Sequence, residues 1–249
     1  MTLLISNDDG VTAPGLKLLH QVLMPIMTCK VVAPDNDCSG AGSSITLGRP
    51  LRIKKHDNGF FSVDGTPTDA VHLAINCLMD DDLPERVISG INYGANLGDD
   101  VLYSGTVAAA MEGRFMAKTA IALSSCGKTE KNINTTAQVL VDLLSMVETL
   151  DLPRGTILNI NVPACAYADI KGIEVTRLGH RDRPRKPVKV IDPRGNDAWW
   201  ISPVGKARDA GEGTDFYAIA RGYVSVTPLQ YDKTDHKILS LVNDRLGAC

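Results

Sequence analysis

No two cysteines in this chain are spaced C-x-x-C. The six, Cys29, Cys38, Cys77, Cys126, Cys165 and Cys249, are scattered through 249 residues. Disulfide frameworks belong to small secreted domains, so these read as reduced thiols in a cytosolic protein. The five histidines have no ligand-like spacing, which argues against a zinc site. No apolar run reaches the roughly 18 residues that a spanning helix needs. The start, Met1-Thr2-Leu3-Leu4-Ile5, lacks the basic region of a signal peptide. The expectation is a cytoplasmic protein without a membrane partner. A net charge of -3 gives no field that would draw a nucleic-acid polymer. The G-K-[ST] ending of a P-loop is missing, as is the G-x-G-x-x-G of dinucleotide folds. Internal repeats and low-complexity tails are missing too. What is present is ordinary for a globular chain: 44% apolar and 22% charged residues, ample for a core.

The pattern along the chain is strand, helix, strand. Leu3 to Ser6 is a short buried strand, Pro14 suits a first helical turn, and Leu16, Leu19, Val22 and Leu23 follow helical spacing until Pro25. Cys29 to Ala33 is a second strand. Leu51 to Ile53 and Phe60 to Val63 form a hairpin, and Thr66-Pro67-Thr68-Asp69 opens a capped helix to about Met79. Strands follow at Arg86 to Ser89, Ala120 to Leu123 and Thr156 to Val162, with helices at Val107 to Lys118 and Asn134 to Leu150. Such alternation predicts an α/β fold, a doubly wound, mostly parallel sheet. Beyond about residue 165 the pattern changes. Gly172 to Arg177 and Tyr223 to Pro228 read as strands and Ile238 to Leu246 as a helix, while 178–216 shows little regular structure. The chain is expected to be one domain, 1–249, with a core over about 1–165 and a C-terminal extension over 166–249.

Ligands of open parallel sheets bind beyond the carboxyl ends of the strands. That rule selects the loops after the first, second and fifth strands. The first carries "ISNDDGVTAPG", with Asp8 and Asp9 adjacent. Either one of them caps the helix at Pro14 while the other is solvated, or a cation relieves their repulsion. The second, "DNDCSGAGSSIT", offers Ser39. The third, "SGINYGANLGDDVLYSGTVAAAMEG", offers Asn92 and Asn96 and then opens a helix at Ser104-Gly105-Thr106. Oxygen donors without Cys or His suit magnesium, manganese or calcium. A helix N-terminus with free N–H groups suits phosphate, and Ser104 can cap the helix as well as border that site. The basic stretch "HRDRPRKPVK", His180 to Lys189, is a solvated loop or an attractor of phosphorylated substrate. Trp199-Trp200 lie in the extension, either against a base or at a subunit contact.

These motifs together resemble the SurE family. The likeness is carried by "SNDDG", Ser39-Gly40, "GTPTD" at Gly65 to Asp69, the Ser89 to Gly113 stretch, "ILNINVP" at Ile157 to Pro163, "DPRGN" at Asp192 to Asn196, "GTDF" at Gly213 to Phe216 and "GYVSVTPL" at Gly222 to Leu229. It covers essentially the whole chain. The resemblance implies a cytoplasmic phosphatase of nucleoside monophosphates, dependent on one divalent metal ion, with a Rossmann-like core. It implies that Asp8, Asp9, Ser39 and Asn92 ligate the metal, and that Asn96, Ser104, Gly105 and Thr106 bind phosphate. It also implies a homodimer or homotetramer, the C-terminal segment reaching to a neighbour. Cys38 is a departure, since a basic residue often precedes Ser39-Gly40 in the family.

The expected reaction is hydrolysis of nucleoside 5′-monophosphates with Mg2+ or Mn2+, the preference among 5′-nucleotides, 3′-nucleotides and polyphosphate staying open. Asp8 or Asp9 acts on the attacking water. Two alternatives differ in class. An inactive nucleotide-binding subunit would bind without turnover. A receiver domain also has paired acids after its first strand, but it needs a lysine after the fifth; here Ser124-Ser125-Cys126-Gly127 intervenes and Lys128 comes only beyond.

Overall fold

The computed structural model describes residues 2–202 and 204–247. Its first strand, β1 (Thr2–Ser6), leads through the Asp8-Asp9 turn into α1 (Pro14–Leu23), and β2 (Thr28–Pro34) lies parallel beside β1. A small hairpin follows, β3 (Ile53–Lys55) with β4 (Phe61–Val63), and then α2 (Pro67–Leu73). The chain then crosses to the other side of β1. There β5 (Arg86–Tyr93), α3 (Gly105–Glu112), β6 (Ala120–Ser125), α4 (Glu130–Val147) and β7 (Ile157–Val162) complete the parallel core.

The extension adds short strands β8 (Ile173–Val175), β9 (His180–Arg181), β10 (Val188–Ile191), β11 (Asp197–Trp200) and β12 (Ala207–Asp209). It ends with α5 (Asp215–Ala220), β13 (Val224–Leu229) and α6 (Leu239–Leu246). The main sheet has nine strands in the order β3-β4-β2-β1-β5-β6-β7-β13-β8. It is parallel from β4 to β7, while β3 and β13 run antiparallel to their inner neighbours. The doubly wound reading therefore holds, and two strands of the extension join the core sheet.

Alternation along the strands sorts the core onto two faces. Leu3 and Ile5 of β1 pack with Leu16, Leu19 and Leu23 of α1 and Ile133, Leu140 and Leu144 of α4. Leu4 faces the other way, with Ala70 and Val71 of α2 and Val107, Ala109 and Ala110 of α3. The small residues of α3 let it lie close to the sheet, which brings its first turn against the end of β1. Winding leftward from β1 through β2 and rightward through β5 makes the carboxyl ends of β1 and β5 the switch point of the fold.

Several boundaries differ from the sequence reading for local reasons. The fifth strand does not stop at Ser89. It continues to Tyr93 through a register irregularity between Ser89 and Asn92, so Asn92 sits in the strand end and not in a loop. The Thr129 hydroxyl accepts the Asn132 N–H, which starts α4 at Glu130 rather than Asn134. After α2 the helical path loosens into a π-helical turn at Ala74–Leu78, and α3 ends in a 3-10 turn at Gly113–Phe115, short of Lys118. The stretch 178–216 does contain regular structure: the pairs β10 with β11 and β9 with β12 are antiparallel, and α5 begins in it. These strands are short, largely exposed and rich in charge, so they lack the apolar alternation by which a strand is recognised. No helix among the described residues is long and apolar enough to cross a membrane.

Candidate active site

The N-cap position of α1 is Ala13, with no side-chain cap bond, so neither Asp8 nor Asp9 caps that helix. The two carboxylates instead close the end of β1. Cys38 donates its N–H to the Asp8 carbonyl at 2.8 Å, tying the loop after β2 to this turn. Asp8 is only 4% exposed. The Thr106 hydroxyl donates to its Oδ1. The first residue of α3, Gly105, lies so close that a Cβ there would be 2.7 Å from the Asp8 Cβ, which is why glycine is required. The first turn of α3 thus abuts an acid.

Burial pushes the Asp8 carboxyl above its usual range, opposed by the Thr106 hydroxyl. Burial, followed by the charges of Asp8 and Asp37, pushes Asp9 up to about 6, with a backbone hydrogen bond from Tyr93 acting the other way. Both charges acting on Asp9 are negative. Such a cluster is electrostatically uncompensated, and a cation placed between the oxygens would relieve it.

Asp37 is the acid that the sequence reading passed over. Its Oδ1 accepts the Ser39 N–H at 2.8 Å and the Ser39 hydroxyl at 2.6 Å. With Asp9, Thr12, Ala13, Pro14 and Tyr93 it lines a cavity of about 290 Å3. An Asp two residues before a Ser is the pattern of a side-chain turn, and that signal was available in "DNDCSG". At the end of β5, Asn92 donates its amide nitrogen to the Gly94 carbonyl at 2.9 Å, and its amide oxygen has no hydrogen-bond partner among the described residues. The buried Oδ1 of Asn7, next to Asp8, also lacks one. Among the described residues no group of three or more His, Cys, Asp or Glu side chains is arranged to hold a metal. An ion here would rest on two carboxylates completed by neutral oxygens, a donor set that fits a hard divalent cation.

The remaining expected residues lie along the same edge. Ser104 caps α3, its hydroxyl accepting the Val107 N–H at 3.1 Å. Asn96 is buried nearer β6 and β7, donating its amide to the Ser124 hydroxyl at 2.8 Å and its N–H to Asn161 Oδ1 at 2.8 Å. The structure therefore brings Asp8, Gly105 and Thr106 together directly, with Asp9 beside Asp8 in the same turn. Ser39 joins through Asp37, and Asn92 through the neighbouring Tyr93. Away from this edge, Arg181 of the basic stretch is paired with Asp100, Lys189 with Asp197, and the Trp199-Trp200 pair is exposed on β11.

Fold and site define a doubly wound α/β protein with an acidic, oxygen-lined pocket at the switch point of its parallel sheet, set against a helix N-terminus. The sequence pattern described as "Survival protein SurE" matches residues 3–185, and the chain belongs to the SurE family. A "5'-nucleotidase SurE" of Pseudomonas fluorescens is 58% identical over 234 residues, 94% of each chain. Another of that name, from Pseudomonas paraeruginosa, is 52% identical over 247 residues, 99% of each. The crystal structure of the SurE protein from Aquifex aeolicus superposes with a TM-score of 0.85 at 42% identity, covering 99% of this chain and 100% of that one.

Proposed function

We propose that this chain is a divalent-metal-dependent nucleotidase that hydrolyses nucleoside 5′-monophosphates to nucleoside and phosphate. The observation that carries the reading is the pair Asp8 and Asp9, both held above the usual carboxylate range, with Asp8 lying against the first turn of α3. The names of the Pseudomonas relatives support the substrate class. Asp8, Asp9, Ser39 and Asn92 would hold one Mg2+ or Mn2+ ion, which when bound supplies charge neutralisation for the phosphoryl oxygens.

The chain's own residues do the rest. The first turn of α3, with Ser104, Gly105 and Thr106, and the amide of Asn96 hold the phosphoryl group. The Thr106 hydroxyl fixes Asp8, so Asp8 serves as a rigid oxygen donor. Asp9 borders the cavity beside Tyr93 and is the better placed to orient a water for in-line attack. The water oxygen bonds to phosphorus, the ester P–O bond breaks, and the proton lost by the water ends on the departing ribose oxygen.

The same reading takes the protein to be a cytoplasmic homodimer or homotetramer. In its support, α6 buries none of its residues, and Leu239, Leu241 and Leu246 are exposed on it. A panel of 5′- and 3′-nucleoside monophosphates and polyphosphate, assayed for released phosphate, tests the activity. Release from 5′-monophosphates with Mg2+ or Mn2+, and none with chelator, is expected. Phosphate kept on an aspartate without turnover would favour the receiver reading, and binding without release an inactive subunit.

A further inference from the structure

The loop from Gly94 to Thr106, which carries Asn96 and leads into α3, is fixed from two sides. On one side β7 presents Asn159 and Asn161, both fully buried. Asn161 accepts the Asn96 N–H at 2.8 Å and returns its own amide to the Asn96 carbonyl at 3.1 Å, while Asn159 donates to that carbonyl at 2.9 Å. On the other side stands the C-terminal extension. Asp215, the first residue of α5, has no exposed surface. Its Oδ2 accepts the Gly98 N–H at 2.7 Å, and its Oδ1 accepts the N–H groups of Gly179 and Phe216, each at 2.9 Å. Gly98 has φ of +53°, and a Cβ there would lie 2.7 Å from the Phe216 ring, so the loop rests directly on α5.

Strand β9 adds a second grip. The Arg181 N–H donates to Asp99 at 2.5 Å, and the guanidinium fork meets Asp100 at 2.8 Å and 2.5 Å. The Phe216 ring centre lies 4.8 Å from the guanidinium carbon. The Asp100 carbonyl in turn accepts the N–H groups of Tyr103 at 3.0 Å and Ser104 at 3.1 Å. The residue gripped by Arg181 thus sets the place of the helix cap, and with it the first turn of α3 that touches Asp8.

From this chain of contacts we propose that Asp215 and Arg181 are positioning residues for the phosphate-holding loop, which makes the extension a working part of the hydrolytic site. The proposal rests on the reading of that loop given above. The demand for a carboxylate at 215 is physical: three N–H donors converge on its two oxygens, so each oxygen must accept. An Asn of the same shape would turn an N–H2 group against a donor, leaving buried groups unpaired. Arg181 likewise needs its planar fork, which lysine lacks.

The test uses the full chain with Mn2+ and a nucleoside 5′-monophosphate, comparing wild type, Asp215→Asn and Arg181→Met. In both variants KM and the inhibition constant of inorganic phosphate are expected to rise about tenfold, with kcat changing less. The Mn2+ concentration for half-maximal activity is expected to change less than KM, because of the four expected ligands only Asp8 touches the first turn of α3, while Asp9, Ser39 and Asn92 lie at or beyond the ends of β1, β2 and β5. Arg181→Met leaves the buried Asp215 bonds in place and supplies the result if Asp215→Asn does not fold. Folded variants with wild-type KM and phosphate inhibition overturn the proposal. A wild type that releases no phosphate overturns the reading beneath it, a different and separately visible failure.

Discussion

A single hydroxyl separates the roles of two adjacent acids. Asp8 receives the Thr106 hydroxyl and is almost wholly buried, whereas Asp9 borders a cavity and takes its backbone bond from Tyr93. Replacing Thr106 by Val keeps the shape and removes the bond to Asp8. Phosphate release is expected to fall about tenfold with the fold unchanged by circular dichroism. Gly105→Ala is a harsher change, since the new methyl would meet the Asp8 Cβ at 2.7 Å. A displacement of this acid by a fraction of an ångström is expected to lower kcat/KM by about a hundredfold, which steady-state kinetics checks. At this scale the sequence was informative about Asp8, Asp9, Gly105 and Thr106, because adjacent acids after a strand and a Gly at a helix start each have few physical reasons. For Asp37 it offered only the spacing two residues before Ser39, and the acid's part depends on the turn that folds it back over that serine.

Elements were legible where apolar spacing and capping chemistry agree. Thr66 and Asp69 form the expected reciprocal cap of α2, and the Thr46 hydroxyl binds the same Asp69 at 2.6 Å, tying the loop after β2 to that helix. The end of β5 was not legible, because its last residues mix Gly with polar side chains that meet β6 only through an irregular register. The ion pair joining β5 to α4 could not be read from sequence either. Arg86, 4% exposed, meets Glu148, 31% exposed, at 2.9 Å, across 62 positions of chain that no local pattern spans. Glu148→Gln leaves the buried guanidinium short of a charge and is expected to cost about 2 kcal/mol in urea unfolding, less than for a pair buried on both sides.

The pH dependence of that pair has a definite sign. Burial tends to raise the Glu148 carboxyl, but the Lys118 hydrogen bond and the Arg86 charge hold it below its ordinary 4.5. Its contribution is therefore full above about 4.5 and is lost as pH falls through the lowered folded value. Wild type should lose stability across that window more steeply than Glu148→Gln, which urea midpoints measured at descending pH will show.

At the scale of the molecule, the parallel, doubly wound core followed from the alternation of strand and helix signals. Of the extension, β8, β13 and α6 were legible as well, whereas the strands within 178–216 were not, because they pair over exposed surface and that stretch meets the core through polar links: Asp215 to Gly98, Arg181 to Asp100. Exposed Trp199, Trp200 and Ile201, with the apolar side chains of α6, lead to the expectation of self-association. Light scattering after size-exclusion chromatography should give at least twice the 26.7 kDa of the chain.

The central claim is that adjacent carboxylates at the end of β1 seat the ion on which hydrolysis depends. Titration of Mn2+ into wild type, Asp8→Asn and Asp9→Asn, each assayed in parallel for phosphate release, tests it most directly. The account predicts about one bound ion per wild-type chain, and loss of both binding and release in either variant while circular dichroism is unchanged. Near-normal turnover by either variant, or Mn2+ binding that survives both substitutions, would contradict it.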